Sequence, residues 1–156
     1  MLAQGGRERE AFWRLRESVP EAQRRAGASL KHDVSVPVSR LPAFVATAGR
    51  WVDEHVPEGM LVAYGHVGDG NLHFNVSAAA GVEPARLLAR QDEVRRAVHD
   101  LVHEAGGSFS AEHGIGRLKV GELERYAAPV ELELMRAIKR ALDPRGIMNP
   151  GKVLAA

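Results

Sequence analysis

The sequence predicts an α+β fold in which helices flank an antiparallel sheet of few strands. Segments with helix-like and strand-like patterns mix along the chain in the order helix, strand, helix, hairpin, helix, strand, helices. Two neighbouring strand-like segments are separated by Gly68-Asp69-Gly70, a strong signal for an antiparallel hairpin. The strand–helix–strand units that a parallel sheet requires are too few. We therefore expect a split β-α-β type of sandwich within 156 residues, the length of one domain.

The first half of the chain is predicted to form two helices and one strand. Residues Arg7–Ala26 are rich in arginine, glutamate and alanine and carry an apolar stripe, which predicts a helix. Pro20 lies inside this segment and should kink the helix or divide it. Alternating valines predict a strand within Leu30–Val38. A second helix should begin at an N-cap formed by Ser39 and end at about His55.

The second half is predicted to form the hairpin, a short strand, three helices and a structured tail. The tail is rich in proline and glycine, which favours a loop. The predicted segments are strands at Met60–Val67, Asn71–Ser77 and Ser108–Ala111, helices at Pro84–Glu104, Leu118–Tyr126 and Val130–Leu142, and a loop at Asp143–Lys152.

The composition argues against several classes of site and partner. The chain has no cysteine, which excludes disulfides, thiolate metal ligands and a cysteine nucleophile. This composition fits a reducing compartment, so we expect a cytoplasmic protein. A formal net charge of +1 gives no support for a nucleic-acid partner. No apolar run approaches the roughly 18–20 residues of a transmembrane segment, and the polar start of the chain does not resemble a signal peptide.

The hairpin is expected to bring two histidines together. If Asp69 and Gly70 are the central residues of a type I′ turn, His66 lies directly opposite His73. Opposed residues share a face of the sheet with Cβ atoms about 4.5–5.5 Å apart, and Asn75 follows on the same face. Two imidazoles at this separation can chelate a divalent metal. The alternative is two exposed strand histidines that bind nothing.

Glu112 is the best candidate for a third metal ligand. It follows a short predicted strand and precedes a Gly-x-Gly turn, where a side chain can point into a cleft. With the two hairpin histidines it would complete a His₂Glu set with an open position, as in catalytic zinc sites. His113, next along the chain, suits a general base. The alternative is a surface Glu-His pair. His99 and His103, four residues apart, are expected on a solvated helical face.

Several blocks of the sequence resemble the C-terminal part of FAD-linked oxidases. These are the D-2-hydroxyacid dehydrogenases, which include D-lactate dehydrogenase, the glycolate oxidase flavin subunit and D-2-hydroxyglutarate dehydrogenase. The resemblance implies that residues 1–156 form part of the ferredoxin-like cap domain of vanillyl-alcohol-oxidase-type flavoproteins. It covers nearly the whole chain. The blocks that carry it are Trp13–Glu17, Lys31–Pro37, Gly65–Asn75, Ser110–Gly116 and Leu142–Lys152.

The resemblance implies a role for eight residues in the oxidation of a small 2-hydroxyacid by FAD. A divalent metal, which is zinc in the better-understood members, would be bound by two histidines and a glutamate, and a further histidine would take the substrate hydroxyl proton. Three residues would bind substrate oxygens, and one would approach the flavin. These are His66, His73 and Glu112 for the metal, His113 for the proton, Arg16, Lys31 and Asn75 for the substrate, and Asn149 for the flavin.

Two departures from the family pattern limit what the resemblance implies. Dicarboxylate-binding members have a threonine four residues after the arginine, where this chain has Pro20, which argues against assuming 2-hydroxyglutarate and leaves the lactate or glycolate class. The N-terminal FAD-binding domain of the family has no counterpart here. We therefore expect the chain to need an FAD-binding domain or subunit and to be inactive alone. An unpaired sheet edge would promote formation of a homodimer. The alternatives are a metal-dependent hydrolase and a non-catalytic interaction subunit.

Overall fold

The computed structural model describes residues 2–155 and contains one antiparallel sheet. Strand β4 (Asn71–Ala78) lies at its centre and pairs along one edge with β3 (Gly59–His66). The other edge of β4 pairs with two short strands, β1 (Ser29–Leu30) and β2 (Asp33–Ser35). The helices are α1 (Gly6–Ala26), α2 (Leu41–His55), α3 (Pro84–Leu88), α4 (Gln91–Glu104), α5 (Val120–Tyr126) and α6 (Pro129–Leu142). This arrangement confirms the predicted α+β class.

The two faces of β4 have opposite character, as its alternating sequence predicts. Leu72, Phe74 and Val76 are buried in the hydrophobic core, where helices α2 and α4 contribute their apolar stripes. The opposite face carries polar side chains that alternate with these residues along the strand. Helix α1 contacts that face through Gln23, which donates to Ser77 Oγ at 2.9 Å and accepts from Asn75 Nδ2 at 2.9 Å. The polar face is therefore the one available for a site.

The predicted strand Leu30–Val38 is shorter and interrupted. Strands β1 and β2 keep the same register against β4, but the ladder breaks at His32. The His32 backbone N–H donates to Asn75 Oδ1 at 3.2 Å, and its ring Nδ1 donates to the Phe74 carbonyl at 2.8 Å. Side chains thus replace the missing ladder bond, so the backbone polar groups stay satisfied.

Two further segments differ from their predicted forms. Helix α1 runs continuously through Pro20, so the predicted division is wrong; the turn after the proline is anchored to the sheet by Gln23. The predicted helix Pro84–Glu104 is instead divided into α3 and α4. At this junction Arg90 bonds the His55 carbonyl and Glu58, which ties the break to the end of α2. No helix within residues 2–155 has the length and apolar character needed to cross a membrane.

Candidate metal and substrate site

The hairpin register differs from the predicted one by two residues. His66 lies opposite Asn71, and Tyr64 lies opposite His73. The connection is a four-residue turn from Val67 to Gly70 instead of a two-residue turn, and Gly70 adopts a positive φ of 76°. The direct pairing of His66 with His73 is therefore wrong. A shift of two preserves the alternation of side chains, so both histidines still share the polar face, placed diagonally.

Glu112 lies between the two histidines. Its Oε1 is 3.4 Å from His66 Nδ1, and its Oε2 is 3.8 Å from His73 Nε2. The three side chains come from β3, β4 and the loop after α4, and Glu112 and His66 are about half exposed to solvent. One carboxylate thus lies near an imidazole nitrogen from each hairpin strand. Imidazole and carboxylate are ligand types that suit zinc and related divalent metals. The structure thus places Glu112 beside both histidines that were predicted as ligands.

Asp33 is a central residue of this site that sequence reasoning did not single out. Its carboxylate is buried and accepts the backbone N–H groups of Glu112 at 2.9 Å and His113 at 3.1 Å, and Asn71 Nδ2 at 3.0 Å. Burial pushes its pKa upward, but these hydrogen bonds outweigh burial and hold the pKa below its usual value. One feature of the sequence could have indicated the role of Asp33: it is an acidic residue in a strand-like segment, where aspartate is disfavoured.

His113 and the surrounding loop are held by their own set of contacts. His113 is exposed, with Nδ1 3.7 Å from Asp33 Oδ2. Ligand atoms of Asp33, Glu112 and His113 all lie within 4.8 Å of one another. The loop closes on itself because Ser110 Oγ donates to the Gly114 carbonyl at 2.8 Å and accepts from Lys119 Nζ at 3.0 Å. The predicted short strand here is reduced to a single bridge between Ser35 and Ser108.

A cleft of about 500 Å³ opens between helix α1 and the hairpin. Arg16 and His66 both line it, so a cationic side chain and a candidate metal ligand face the same space. The Arg16 guanidinium lies 4.9 Å from the centre of the Tyr64 ring, and that ring lies 5.0 Å from the ring of His73. A cation held over an aromatic face in this way is favourably placed. The cleft thus joins Arg16 to the histidine site.

The other three predicted site residues have different surroundings. Lys31 is exposed and lies between β1 and β2, in the part of the chain that runs beside Asn75. Asn75 is buried, and its amide oxygen and one N–H already bind His32 and Gln23. Asn149 lies in a separate cavity of about 570 Å³ between α6 and the C-terminal loop, with φ +48° and its Oδ1 accepting from Lys152. The structure does not bring Asn149 into the cleft beside His66.

The comparison with protein families decides the membership of this chain. The model for FAD linked oxidases, C-terminal domain, matches residues 1–153. The chain belongs to this family. The membership confirms the resemblance found in the sequence and supports FAD as the cofactor with which a C-terminal domain of this family works.

Relatives of this FAD-linked oxidase domain include D-2-hydroxyglutarate dehydrogenases from bacteria and plants. The protein from Stutzerimonas stutzeri is 38% identical over 156 residues, which are 100% of this chain and 33% of that protein. The protein from Xanthomonas citri pv. viticola is 39% identical over 153 residues, which are 98% and 32% of the two chains. The mitochondrial protein from Arabidopsis thaliana is 40% identical over 155 residues, 99% and 26%. The chain spans a third or less of the length of these relatives.

Proposed function

We propose that this chain is the substrate- and metal-binding part of an FAD-dependent enzyme that oxidises a D-2-hydroxyacid to the 2-oxoacid. The observation that carries the proposal is the approach of Glu112 to both His66 and His73, beside a cleft lined by Arg16. A 2-hydroxyacid has a carboxylate and a neighbouring hydroxyl, which a metal and a cationic side chain can bind together. Family membership supports the redox class, and zinc is the metal that the donor set suits best.

The residues of this chain divide the chemistry among them. When bound, a divalent metal supplies a Lewis acid that lowers the pKa of the substrate hydroxyl, and FAD supplies the acceptor for the hydride from C2. His113 accepts the hydroxyl proton at Nε2, since its Nδ1 faces Asp33, whose negative charge stabilises the resulting imidazolium. Arg16 and Lys31 provide positive charge for carboxylate groups. We propose that Asn75 contacts substrate oxygens through its second amide hydrogen, and that Asn149 contacts the flavin.

Two substrate classes have separate support. The relatives named above are D-2-hydroxyglutarate dehydrogenases, which favours a dicarboxylate. Pro20 offers no side-chain hydroxyl one turn after Arg16 on α1, which favours a smaller acid such as lactate or glycolate. Titration of the zinc-loaded chain with D-2-hydroxyglutarate and with D-lactate discriminates the two. Tighter binding of D-2-hydroxyglutarate would mean that Lys31 or another cation supplies the second carboxylate site without a hydroxyl at position 20.

Metal content tests the proposed site directly. We expect the purified chain to bind close to one equivalent of Zn²⁺, measured by atomic emission after dialysis. His66→Ala and Glu112→Ala each remove one of three ligands and should lower the affinity at least about 10-fold. His55→Ala, at an exposed position on α2, is the matched control and should bind metal as the unmodified chain does. Equal metal content in all four proteins would contradict the ligand assignment.

We propose that an FAD-binding region outside these residues covers helix α6. Four apolar side chains of α6 recur every fourth residue and are each more than half exposed, and the relatives are at least three times as long as this chain. A large partner region is therefore available to bury this stripe. Its members are Val130, Leu134, Ile138 and Leu142.

The isolated chain should accordingly show no flavin chemistry of its own. We expect the zinc-loaded chain to retain no FAD through gel filtration, measured by flavin absorbance, and to oxidise no 2-hydroxyacid in the presence of an artificial electron acceptor. Hydrolysis of simple esters or amides by the metal-loaded chain alone would favour the metal-dependent hydrolase instead. Loss of that hydrolysis in Glu112→Ala would be needed to assign it to this site.

A further inference from the structure

Asp33 contacts both the loop that carries Glu112 and the strand that carries His73. It lies on β2 directly opposite His73 on β4, and only 8% of it is exposed. Three consecutive residues of the loop after α4 donate backbone N–H groups to it. Ala111 donates to its carbonyl at 3.1 Å, and Glu112 and His113 donate to its carboxylate. A single residue thus fixes the main chain that carries both the candidate ligand Glu112 and the candidate base His113.

The same carboxylate faces two imidazole rings. Oδ1 lies 3.9 Å from His73 Nδ1, and Oδ2 lies 3.7 Å from His113 Nδ1. The opposite nitrogen of the His73 ring, Nε2, faces Glu112. A carboxylate behind the non-ligating nitrogen is the arrangement that orients metal-binding histidines and strengthens them as ligands. At these distances the interaction is electrostatic, and it tightens into a hydrogen bond if the rings move by about 1 Å.

We propose that Asp33 is the positioning residue of this site, which aims Glu112 and His73 at one metal ion and orients His113. This inference rests on the proposed function, since it assumes that Glu112 and His73 bind metal. Asp33 itself is not assigned as a ligand. Its Oδ2 already accepts two backbone N–H groups and its Oδ1 accepts Asn71 Nδ2, so three of its roughly four acceptor positions are used within the protein.

Asn71 makes a clean test of charge possible. Its Nδ2 donates to Asp33, whereas its Oδ1 is buried with no hydrogen-bond partner within residues 2–155. In Asp33→Asn the new amide keeps an oxygen for the two backbone N–H groups and places its NH₂ toward Asn71. Rotation of the Asn71 amide then presents the unpartnered Oδ1 to that NH₂. The substitution therefore removes the negative charge and keeps three hydrogen bonds at this position, with the direction of the bond to Asn71 reversed.

The chain contains a matched control for the loss of a buried carboxylate. Asp143 is 7% exposed and accepts the backbone N–H groups of two consecutive residues, Ile147 at 3.0 Å and Met148 at 2.9 Å. Its carboxylate thus has the same kind of role as that of Asp33, in a loop that contains none of the candidate metal ligands. Asp143→Asn reports what the loss of such a carboxylate does to stability alone.

The test is isothermal titration of the metal-free 156-residue chain with Zn²⁺, together with thermal unfolding of each protein without metal. We expect Asp33→Asn to weaken Zn²⁺ binding 10- to 100-fold, and Asp143→Asn to leave Zn²⁺ binding unchanged. Co²⁺ spectra of the two variants provide a second readout, because an altered spectrum in Asp33→Asn alone shows a change in ligand geometry. Asn71→Ala removes one hydrogen bond to the Asp33 carboxylate but keeps its negative charge. This variant replaces Asp33→Asn in the test if Asp33→Asn does not fold, and it should weaken Zn²⁺ binding less than Asp33→Asn would.

The outcomes separate this inference from the function on which it rests. Unchanged Zn²⁺ affinity in Asp33→Asn, or in Asn71→Ala if only that variant folds, overturns the positioning role and leaves the metal site standing. Equal weakening in Asp33→Asn and Asp143→Asn also overturns it, since the effect would then be one of general stability. Failure of the unmodified chain to bind Zn²⁺ overturns the proposed metal site and this inference with it.

Discussion

Gly65→Ala should unfold the hairpin that carries both histidines. Gly65 lies opposite Leu72 in the β3–β4 ladder, and a Cβ there would lie 2.2 Å from the Asn71 carbonyl oxygen and 2.9 Å from the Leu72 Cα. Both atoms belong to the backbone of the central strand, so neither can move away without opening the ladder. Overpacking costs about 1–3 kcal/mol where side chains can yield, and we expect a loss of at least about 3 kcal/mol of unfolding free energy here. Urea denaturation followed by circular dichroism measures it.

The Gly65→Ala substitution should also weaken metal binding. The candidate ligand His66 follows Gly65 and lies opposite Asn71, whose carbonyl group the new Cβ would displace. Gly68→Ala is the matched control in the same hairpin. A Cβ at Gly68 meets no heavy atom within 4 Å, and its φ is not positive, so this variant should keep stability within about 0.5 kcal/mol. If the two alanine variants had equal stability, the close approach of β3 to β4 at Gly65 would be wrong.

The parts of the site that depend on a short-range sequence pattern could be predicted from the sequence. Strand alternation has a period of two, so the common face of His66 and His73 survived an error of two residues in the register. The turn itself was not predictable from Asp69-Gly70 alone. Asp69 Oδ1 accepts the Asn71 N–H at 3.1 Å, and the Gly70 N–H donates to the Val67 carbonyl at 3.3 Å. These local bonds stabilise a longer, 3₁₀-type turn over the two-residue one.

The parts that the sequence did not reveal depend on contacts between distant segments. His99 was expected on a solvated helical face, and that prediction is wrong: it is 3% exposed, with Nδ1 3.0 Å from Glu122 Oε2. Helix α5, which carries Glu122, packs over α4 and covers a position that the helical pattern alone assigns to solvent. Asp33 was overlooked for the same reason, since its partners Glu112 and His113 lie about 80 residues further along the chain.

Acid should begin to destabilise the chain above the ordinary pKa values of its carboxylates, because His32 is buried as a neutral ring. Burial lowers its pKa to about 4, although the hydrogen bond to the Phe74 carbonyl acts in the opposite direction. The unfolded chain takes up this proton near pH 6.5, and the folded chain only near pH 4. Between these values the unfolded state holds more protons, so stability is complete above about pH 6.5 and falls as the pH is lowered through this window. The expected loss is about 3 kcal/mol.

His99 contributes to the loss with the same sign. Its burial lowers its pKa and outweighs the opposing influence of Glu122, so it too resists protonation in the folded state. The low-pKa carboxylates of Asp33 and Asp143 also lose stabilisation in acid, but below their ordinary pKa of 3.8, so the histidine window lies above theirs.

Unfolding free energies measured between pH 7 and pH 4 identify the histidine responsible. His32→Asn places an amide N–H where Nδ1 donates to Phe74, so the hydrogen bond is retained while the titrating ring is lost. We expect this variant to have a shallower slope of stability against pH. His55→Asn, at an exposed position, should keep the slope of the unmodified chain. An unchanged slope in His32→Asn would assign the acid sensitivity to His99 and would contradict the neutral, buried state of His32. That assignment matters for the site, because His32 lies between Lys31 and Asp33 and its backbone N–H donates to Asn75. Protonation of the His32 ring would therefore disturb the segment that joins β1 to β2 and its contact with β4.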